Sequence, residues 1–370
     1  MVSTYSFPTR VHFGAGALAH LTTFAATYRR PMIVTDKGLV ATGLAEQVKA
    51  VLGPTAVIFD GVEPNPTEIN IHDGVAMFRE HGCDLIVAVG GGSPLDAGKA
   101  IRLAVTHLRP LVEYDDNIGG DRHITADMPD MVAIPTTSGT GSEVSRSAVV
   151  TLAVNNRKTV LFSPYLMPTL AICDPALTLG LPARLTAATG MDALSHNIEA
   201  YLAKGYHPMA DAIALAGIAL VGQYLERAVA DGKDLEARSQ MMMASLMGAT
   251  AFQKGLGVTH SLAHPLSSVA GVHHGTANAI LMPFVMTFNA EVVPERCESI
   301  AKALGGGATA AEAVDRLNRA IGMPTRLGEV GVTREMVPQL VEKALLDGCW
   351  HNNPRPVTAE DLQRLYEQAF

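Results

Sequence analysis

Aromatic residues are scarce, 5% of 370 with a single tryptophan, and only four cysteines occur, Cys83, Cys173, Cys297 and Cys349. They form no C-x-x-C pair and no disulfide framework, which fits a cytoplasmic chain kept in a reducing compartment. Charge is sparse as well: 17% of residues are charged, the formal net charge is -8, and Lys and Arg form no run. Such a chain lacks the basic footprint that a nucleic acid or an acidic membrane surface requires, so neither partner is expected. The longest apolar helical stretch, Met209 to Tyr224, is interrupted by Asp211 and too short to cross a bilayer comfortably. It reads as a buried core helix. The start, MVSTYSFPTRVHFG, has neither an apolar core nor a small-residue cleavage site, so no secretory signal is expected. Repeats and low-complexity tracts are missing too.

What is present, 48% hydrophobic residues and 34 glycines, suits a compact enzyme-like chain, and the length suggests two domains, residues 1–180 and 181–370. In the first, short apolar runs (31–35, 56–59, 85–89 and 131–134) alternate with helical patterns near 39–52, 68–81 and 95–107. That rhythm predicts an α/β fold with right-handed crossovers and a mostly parallel sheet. Beyond Gly180 helical periodicity takes over, which predicts an all-helical carboxyl-terminal domain. The cleft between the halves is then the natural pocket.

Ligands of parallel sheets sit beyond the carboxyl ends of the strands, and three of those ends are distinctive. The run DLIVAVG enters GGGSPLDAGKAI, where Gly90, Gly91 and Gly92 clear the turn of side chains. Ser93 is expected as the N-cap, Pro94 at the first helical position and Asp96 at the positive helix end. Bare N–H groups there suit a pyrophosphate, although a glycine turn built for tight packing has the same look. The run MVAIP delivers TTSGTGSEVS, whose Thr136, Thr137, Ser138 and Thr140 can donate to phosphate or ribose oxygens. Asp36 ends the first run, where a carboxylate accepts from both ribose hydroxyls and repels a 2′-phosphate, favouring NAD(H) over NADP(H). An ordinary helix cap explains Asp36 nearly as well. Lys158 can reach ribose or phosphates.

In the second half, GLGVTHSLAHPLSSVAGVHHGTAN packs four of the thirteen histidines into fifteen residues, His260, His264, His273 and His274. One histidine on an apolar face is ordinarily a core residue; four so close together suggest a metal. Asp192 and His196, four apart in GMDALSHNIEAY, share one helix face and supply the missing carboxylate. With two of the clustered histidines they make a three-nitrogen, one-oxygen set suited to Fe2+, Zn2+ or another divalent metal. The residues alone leave open which two.

Together GGGSPLDAGKAI, PTTSGTGSEVS, ATGMDALSHNIEAYL and GLGVTHSLAHPLSSVAGVHHGTANAILMP resemble the iron-containing (group III) alcohol dehydrogenase family, in that order and over nearly the whole chain. The resemblance implies the dehydroquinate synthase-like fold, a Rossmann-like amino-terminal α/β domain and a helical carboxyl-terminal one. It implies metal ligands at Asp192, His196, His260 and His274, with His264 near the nicotinamide and available for proton relay. It implies NAD(H) contacts at Asp36, Gly90, Gly91, Gly92, Ser93, Thr136, Thr137, Thr140 and Lys158. Phe252 and Cys349 match substrate-lining positions. Similar enzymes are dimers or larger homo-oligomers.

The expected reaction is hydride transfer between NAD(H) and a small primary alcohol, diol or hydroxyaldehyde. Alternatives are a glycerol-dehydrogenase-like or hydroxy-acid dehydrogenase, the latter if Arg146 or Arg355 lines the pocket. A metallohydrolase acting on a phosphorylated substrate, or a non-catalytic binding protein, predicts no nicotinamide-dependent turnover.

Overall fold

The computed structural model describes residues 5, 7, 9–154 and 157–370. Its contacts divide the chain into two compact units: Phe7–Thr137 with Gly141–Gly180, and Leu181–Phe370 with Ser138–Thr140 and Tyr5.

The first unit holds strands β1 (Arg10–Phe13), β2 (Pro31–Val34), β3 (Val57–Phe59), β4 (Leu85–Gly90), β5 (Asp130–Pro135), β6 (Ser147–Leu152), β7 (Arg157–Phe162) and β8 (Leu170–Cys173). Six form a parallel sheet in the order β1-β8-β5-β4-β2-β3, and β6 and β7 pair as a separate antiparallel hairpin. Alternate side chains serve opposite faces. Met32, Val34, Ile86, Ala88, Met131 and Ala133 enter one core. Ile33, Val87, Val89, Val132 and Ile134 enter the other. Burial on both faces is why β2, β4 and β5 read as continuous apolar runs.

Helices α1 (His20–Ala25), α2 (Lys37–Ala41), α3 (Leu44–Leu52), α4 (Glu68–Glu80) and α5 (Gly92–Thr106) complete this unit. The single helix expected over 39–52 is two, because Gly43 takes φ 82° between them, a left-handed turn that side chains disfavour. Strands β1, β6, β7 and β8 were not foreseen. β1 mixes polar and apolar residues and β6 alternates them, so neither carries a continuous apolar run, whereas β8, Leu170–Cys173, is as apolar and as buried as β2 and was simply missed.

The second unit is helical: α6 (Ala183–Leu202), α7 (Pro208–Ala230), α8 (Leu235–Ala251), α9 (Val258–Ala270), α10 (His274–Ala290), α11 (Pro294–Ala303), α12 (Ala310–Ala320), α13 (Val337–Leu345) and α14 (Ala359–Gln368). Among the described residues only α7 is long and apolar enough to cross a membrane. Its Ile218, Val221 and Leu225 are fully buried in the same core as Met191, Leu194 and Ile198 of α6, but only a third of its apolar window is buried and Met209 is exposed, so α7 packs by one face rather than as the buried core helix expected.

Candidate functional site

Helix α6 presents Asp192, His196 and Glu199 at helical spacing along one buried face. Helix α9 brings His260, and α10 begins at His274, whose approach depends on the next residue. A Cβ on Gly275 would lie 1.9 Å from the Ala188 carbonyl oxygen, so only glycine lets α10 start this close to α6. The ligand atoms of Asp192, His260 and His274 all lie within 4.8 Å of one another. Asp192 Oδ1 is 3.3 Å from His274 Nε2 and 3.9 Å from His196 Nε2. The His196 ring stacks on His260 with centroids 4.8 Å apart, and its Nδ1 is 3.3 Å from the Gly139 carbonyl oxygen. Burial depresses the His196 pKa to about 4, so its imidazole is neutral near pH 7.

Glu199 determines how His260 is used. Its carboxylate accepts from His260 Nδ1 at 2.6 Å and from the backbone N–H groups of Gly257 (2.8 Å) and Thr259 (2.6 Å) at the start of α9. Burial opposes charge on both partners, but the hydrogen bond and mutual attraction prevail, raising the His260 pKa and lowering that of Glu199. With Nδ1 committed, Nε2 points inward, buried and without a hydrogen-bond partner. A buried imidazole nitrogen facing a carboxylate oxygen and a second imidazole is what a divalent metal would satisfy. The residues fit that group. Asn278 donates to Asp192 Oδ1 at 2.9 Å and keeps the carboxylate oriented.

His264, one turn further along α9, is paired the same way but with a different acid. Its Nδ1 lies 2.7 Å from Asp347 Oδ2, while Asp347 Oδ1 accepts from Ser261 Oγ (2.7 Å) and the Cys349 N–H (2.8 Å). Burial alone would raise the Asp347 pKa, yet the His264 charge and these hydrogen bonds hold it far below the usual carboxylate range. Cys349, beside this pair, is raised well above an ordinary thiol by burial and is inert as a thiolate near neutrality. The Phe252 ring stands 5.3 Å from that of His196. Glu199 and Asp347 escaped the sequence reading. Glu199 follows His196 by three residues on a face already singled out, whereas nothing local marks Asp347.

In the first unit Gly91, not Ser93, is the N-cap of α5, and no side chain caps the helix. Pro94 is therefore third in the helix, and Asp96 lies beyond the first turn. Ser93 Oγ instead accepts from the Asn65 N–H at 3.2 Å, and the Asp96 carboxylate accepts from Ser142 Oγ at 2.6 Å. This leaves the first N–H groups of α5 bare, as an anion site needs. Thr136 N–H donates to the Gly90 carbonyl at 2.9 Å, and a Cβ on Gly91 would lie 3.3 Å from Thr137, so the two polar loops abut. Asp36 caps α2 by accepting from the Leu39 N–H at 2.9 Å. Lys158 stands opposite Thr151 in the β6–β7 hairpin, its pKa lowered by burial. Thr140 groups with the second unit.

The sequence profile of the iron-containing alcohol dehydrogenases matches residues 8–175, and that of the carboxyl-terminal part of the Fe-containing alcohol dehydrogenase family matches 186–370. A 4-hydroxybutyrate dehydrogenase of Cupriavidus necator is 45% identical over 376 residues, covering 98% of each chain. A crystal structure of 1,3-propanediol oxidoreductase superposes with a TM-score of 0.96 at 39% identity over the full length of both chains. Sulfoacetaldehyde reductase from Bifidobacterium kashiwanohense, solved with NAD+, gives 0.92 at 30% identity, covering 100% of this chain and 99% of the other. Profiles meeting almost end to end, and likeness of that extent in both sequence and fold, leave one conclusion: the chain belongs to the iron-containing alcohol dehydrogenase family.

Proposed function

We propose that this protein is a metal-dependent NAD(H) alcohol dehydrogenase or aldehyde reductase, with Asp192, His196, His260 and His274 as metal ligands. The buried, partnerless Nε2 of His260 beside Asp192 and His274 carries the ligand assignment. A divalent metal, Fe2+ or a substitute such as Zn2+, supplies Lewis acidity toward the substrate oxygen, and NAD(H) supplies or accepts the hydride. The chain's own residues do the rest. Glu199 fixes the His260 tautomer. Asp347 holds His264 by Nδ1, leaving His264 Nε2 to take or return the substrate proton. Bare amides at the start of α5, with Thr136, Thr137, Thr140 and Lys158, hold the pyrophosphate and ribose, and Asp36 selects NAD(H). Localisation in the cytoplasm and assembly from identical subunits complete the reading.

The experiment that tests it is NADH oxidation with a panel of short aldehydes, run on protein reconstituted separately with Fe2+ and Zn2+. Turnover with NADH and metal supports the proposal, whereas metal-dependent hydrolysis of phosphate esters without any nicotinamide turnover would overturn it. Asp36→Gly is expected to raise kcat/KM for NADP(H) by about tenfold and lower it for NAD(H), since one repulsive carboxylate is worth on that order. An unaltered protein that already prefers NADP(H) removes the ribose role of Asp36.

For substrate, the relative acting on 4-hydroxybutyrate points to a carboxylate-bearing alcohol, and the propanediol enzyme to an uncharged one. Arg355 is a poor carboxylate anchor. It is already paired with Glu291 at 2.7 Å and hydrogen-bonded to the Phe288 carbonyl at 3.0 Å. Arg146, stacked over Phe162 at 5.1 Å, has no anionic partner among the described residues. Loss of one anchoring arginine should therefore raise KM for 4-hydroxybutyrate on the order of tenfold in Arg146→Met, with KM for 1,3-propanediol little changed. Equal changes for both substrates would exclude a carboxylate contact at Arg146.

A further inference from the structure

Hydride transfer makes no direct use of the fully buried ammonium of Lys99, yet three segments of the first unit are tied to it. Lys99 projects from the second turn of α5, the helix that starts at the glycine turn. Its Nζ donates to Ser142 Oγ at 2.8 Å and to the Ser147 carbonyl at 2.7 Å. Ser142 in turn donates to Asp96 Oδ1 at 2.6 Å, and Asp96 Oδ2 accepts from the Val149 N–H at 3.1 Å. The Asp96 and Lys99 charges are 4.0 Å apart, bridged by the one hydroxyl. Ser142 closes the hydroxyl-rich loop that begins at Thr136. Ser147 and Val149 lie on β6, whose partner strand carries Lys158.

Ion pairs this deep are costly, because desolvation works against both charges. Burial brings the Lys99 pKa down to about 8 and that of the neighbouring Glu143 up to about 7. Apolar residues of similar size would fill the space at no such cost. What they would not supply is direction, since the ammonium and carboxylate each bind two groups at fixed angles. Those groups belong to the turn helix, the hydroxyl loop and the hairpin, three of the pieces assigned to NAD(H) in this unit, Asp36 at the start of α2 being the fourth.

We propose that Lys99, acting through Ser142 and Asp96, is a positioning residue that locks the three NAD(H)-holding segments of the first unit into one register. The inference rests on the assignment of those segments to NAD(H). No step of the chemistry passes through Lys99. Its removal should show as loss of cofactor affinity and leave the metal in place.

The test is NADH titration by fluorescence on metal-loaded enzyme, with metal content and Tm measured on the same preparations. Ser142→Ala removes the bridging hydroxyl and leaves both charges, so it carries the test even if Lys99→Met fails to fold. Loss of one charge-assisted hydrogen bond predicts an NADH Kd raised roughly tenfold in Ser142→Ala, with KM for NAD+ rising in parallel and kcat at saturating NAD+ falling far less. Lys158→Ala in the same assay separates the two levels of the claim. If it weakens NADH binding while Ser142→Ala binds with parental affinity, the network is not positioning the cofactor. If both bind like the parent, the assignment of the segments to NAD(H) fails. A Ser142→Ala enzyme whose kcat and Tm fall while its NADH Kd stays put assigns the network to stability alone and overturns the proposal.

Discussion

Asp192→Ala protein is expected to fold, to purify without bound metal, and to lose at least ~10³ in kcat/KM for alcohol oxidation, since a Lewis acid contributes several kcal/mol. The proposed ligand set contains one carboxylate, and it is this one, only 3% exposed. Its Oδ1 lies 3.3 Å from His274 Nε2 and 3.9 Å from His196 Nε2. Without it, three imidazoles face one another with no carboxylate among the ligands to offset a dication. The fold should tolerate the change. The Asp192 side chain accepts from Asn278, and truncation opens little space on a helix otherwise packed by alanines and leucines. Elemental analysis, circular dichroism and NADH-linked kinetics on one preparation decide the matter. A folded Asp192→Ala enzyme with one metal per chain and parental kcat/KM would remove Asp192 from the ligand set.

How far the sequence could reach is visible in the histidines of α9. Their spacing places His260 and His264 on one face, and nothing local tells them apart. What separates them is the acid each is given: Glu199, 61 residues away on α6, and Asp347, 83 residues away beyond α13. Pairings at such distance follow from helix packing, which periodicity does not encode. The glycine turn shows the opposite limit. That it opens a helix free of side chains was legible, but the cap was misplaced, since Gly91 holds that position and Ser93 Oγ accepts from the Asn65 N–H instead. Lys99 illustrates a third. Nothing local marks it as buried, and its partners Ser142 and Ser147 come from the loop before β6 and from β6 itself, a strand that was unforeseen. Of the parallel sheet, the apolar runs of β2, β4 and β5 were legible, β1 was hidden by its polar residues, and β8 was missed although it is buried at every position.

Glu199→Gln should weaken metal binding by about 10–100-fold, as losses of a carboxylate behind a metal-binding histidine do. Glutamine has the right shape, so the effect isolates chemistry from packing. The native carboxylate only accepts, and it accepts from three donors at once, His260 Nδ1 and the N–H groups of Gly257 and Thr259. An amide has one accepting oxygen and an NH2 that must face at least one of those donors, leaving a buried polar clash. There is no room to rotate away: a Cβ on Gly257 would already lie 2.9 Å from Glu199 Oε1. The negative charge also offsets the positive end of α9, so a loss of about 1–2 kcal/mol in stability should accompany the weaker binding. Chelator competition reads the metal affinity directly and denaturant unfolding reads the fold, so neither depends on turnover. Glu199→Asp keeps the charge but withdraws it by one methylene, and should fall between parent and Glu199→Gln in affinity. If Glu199→Gln holds its metal as tightly as the parent, the His260 tautomer is set by packing alone and the carboxylate serves only to start α9.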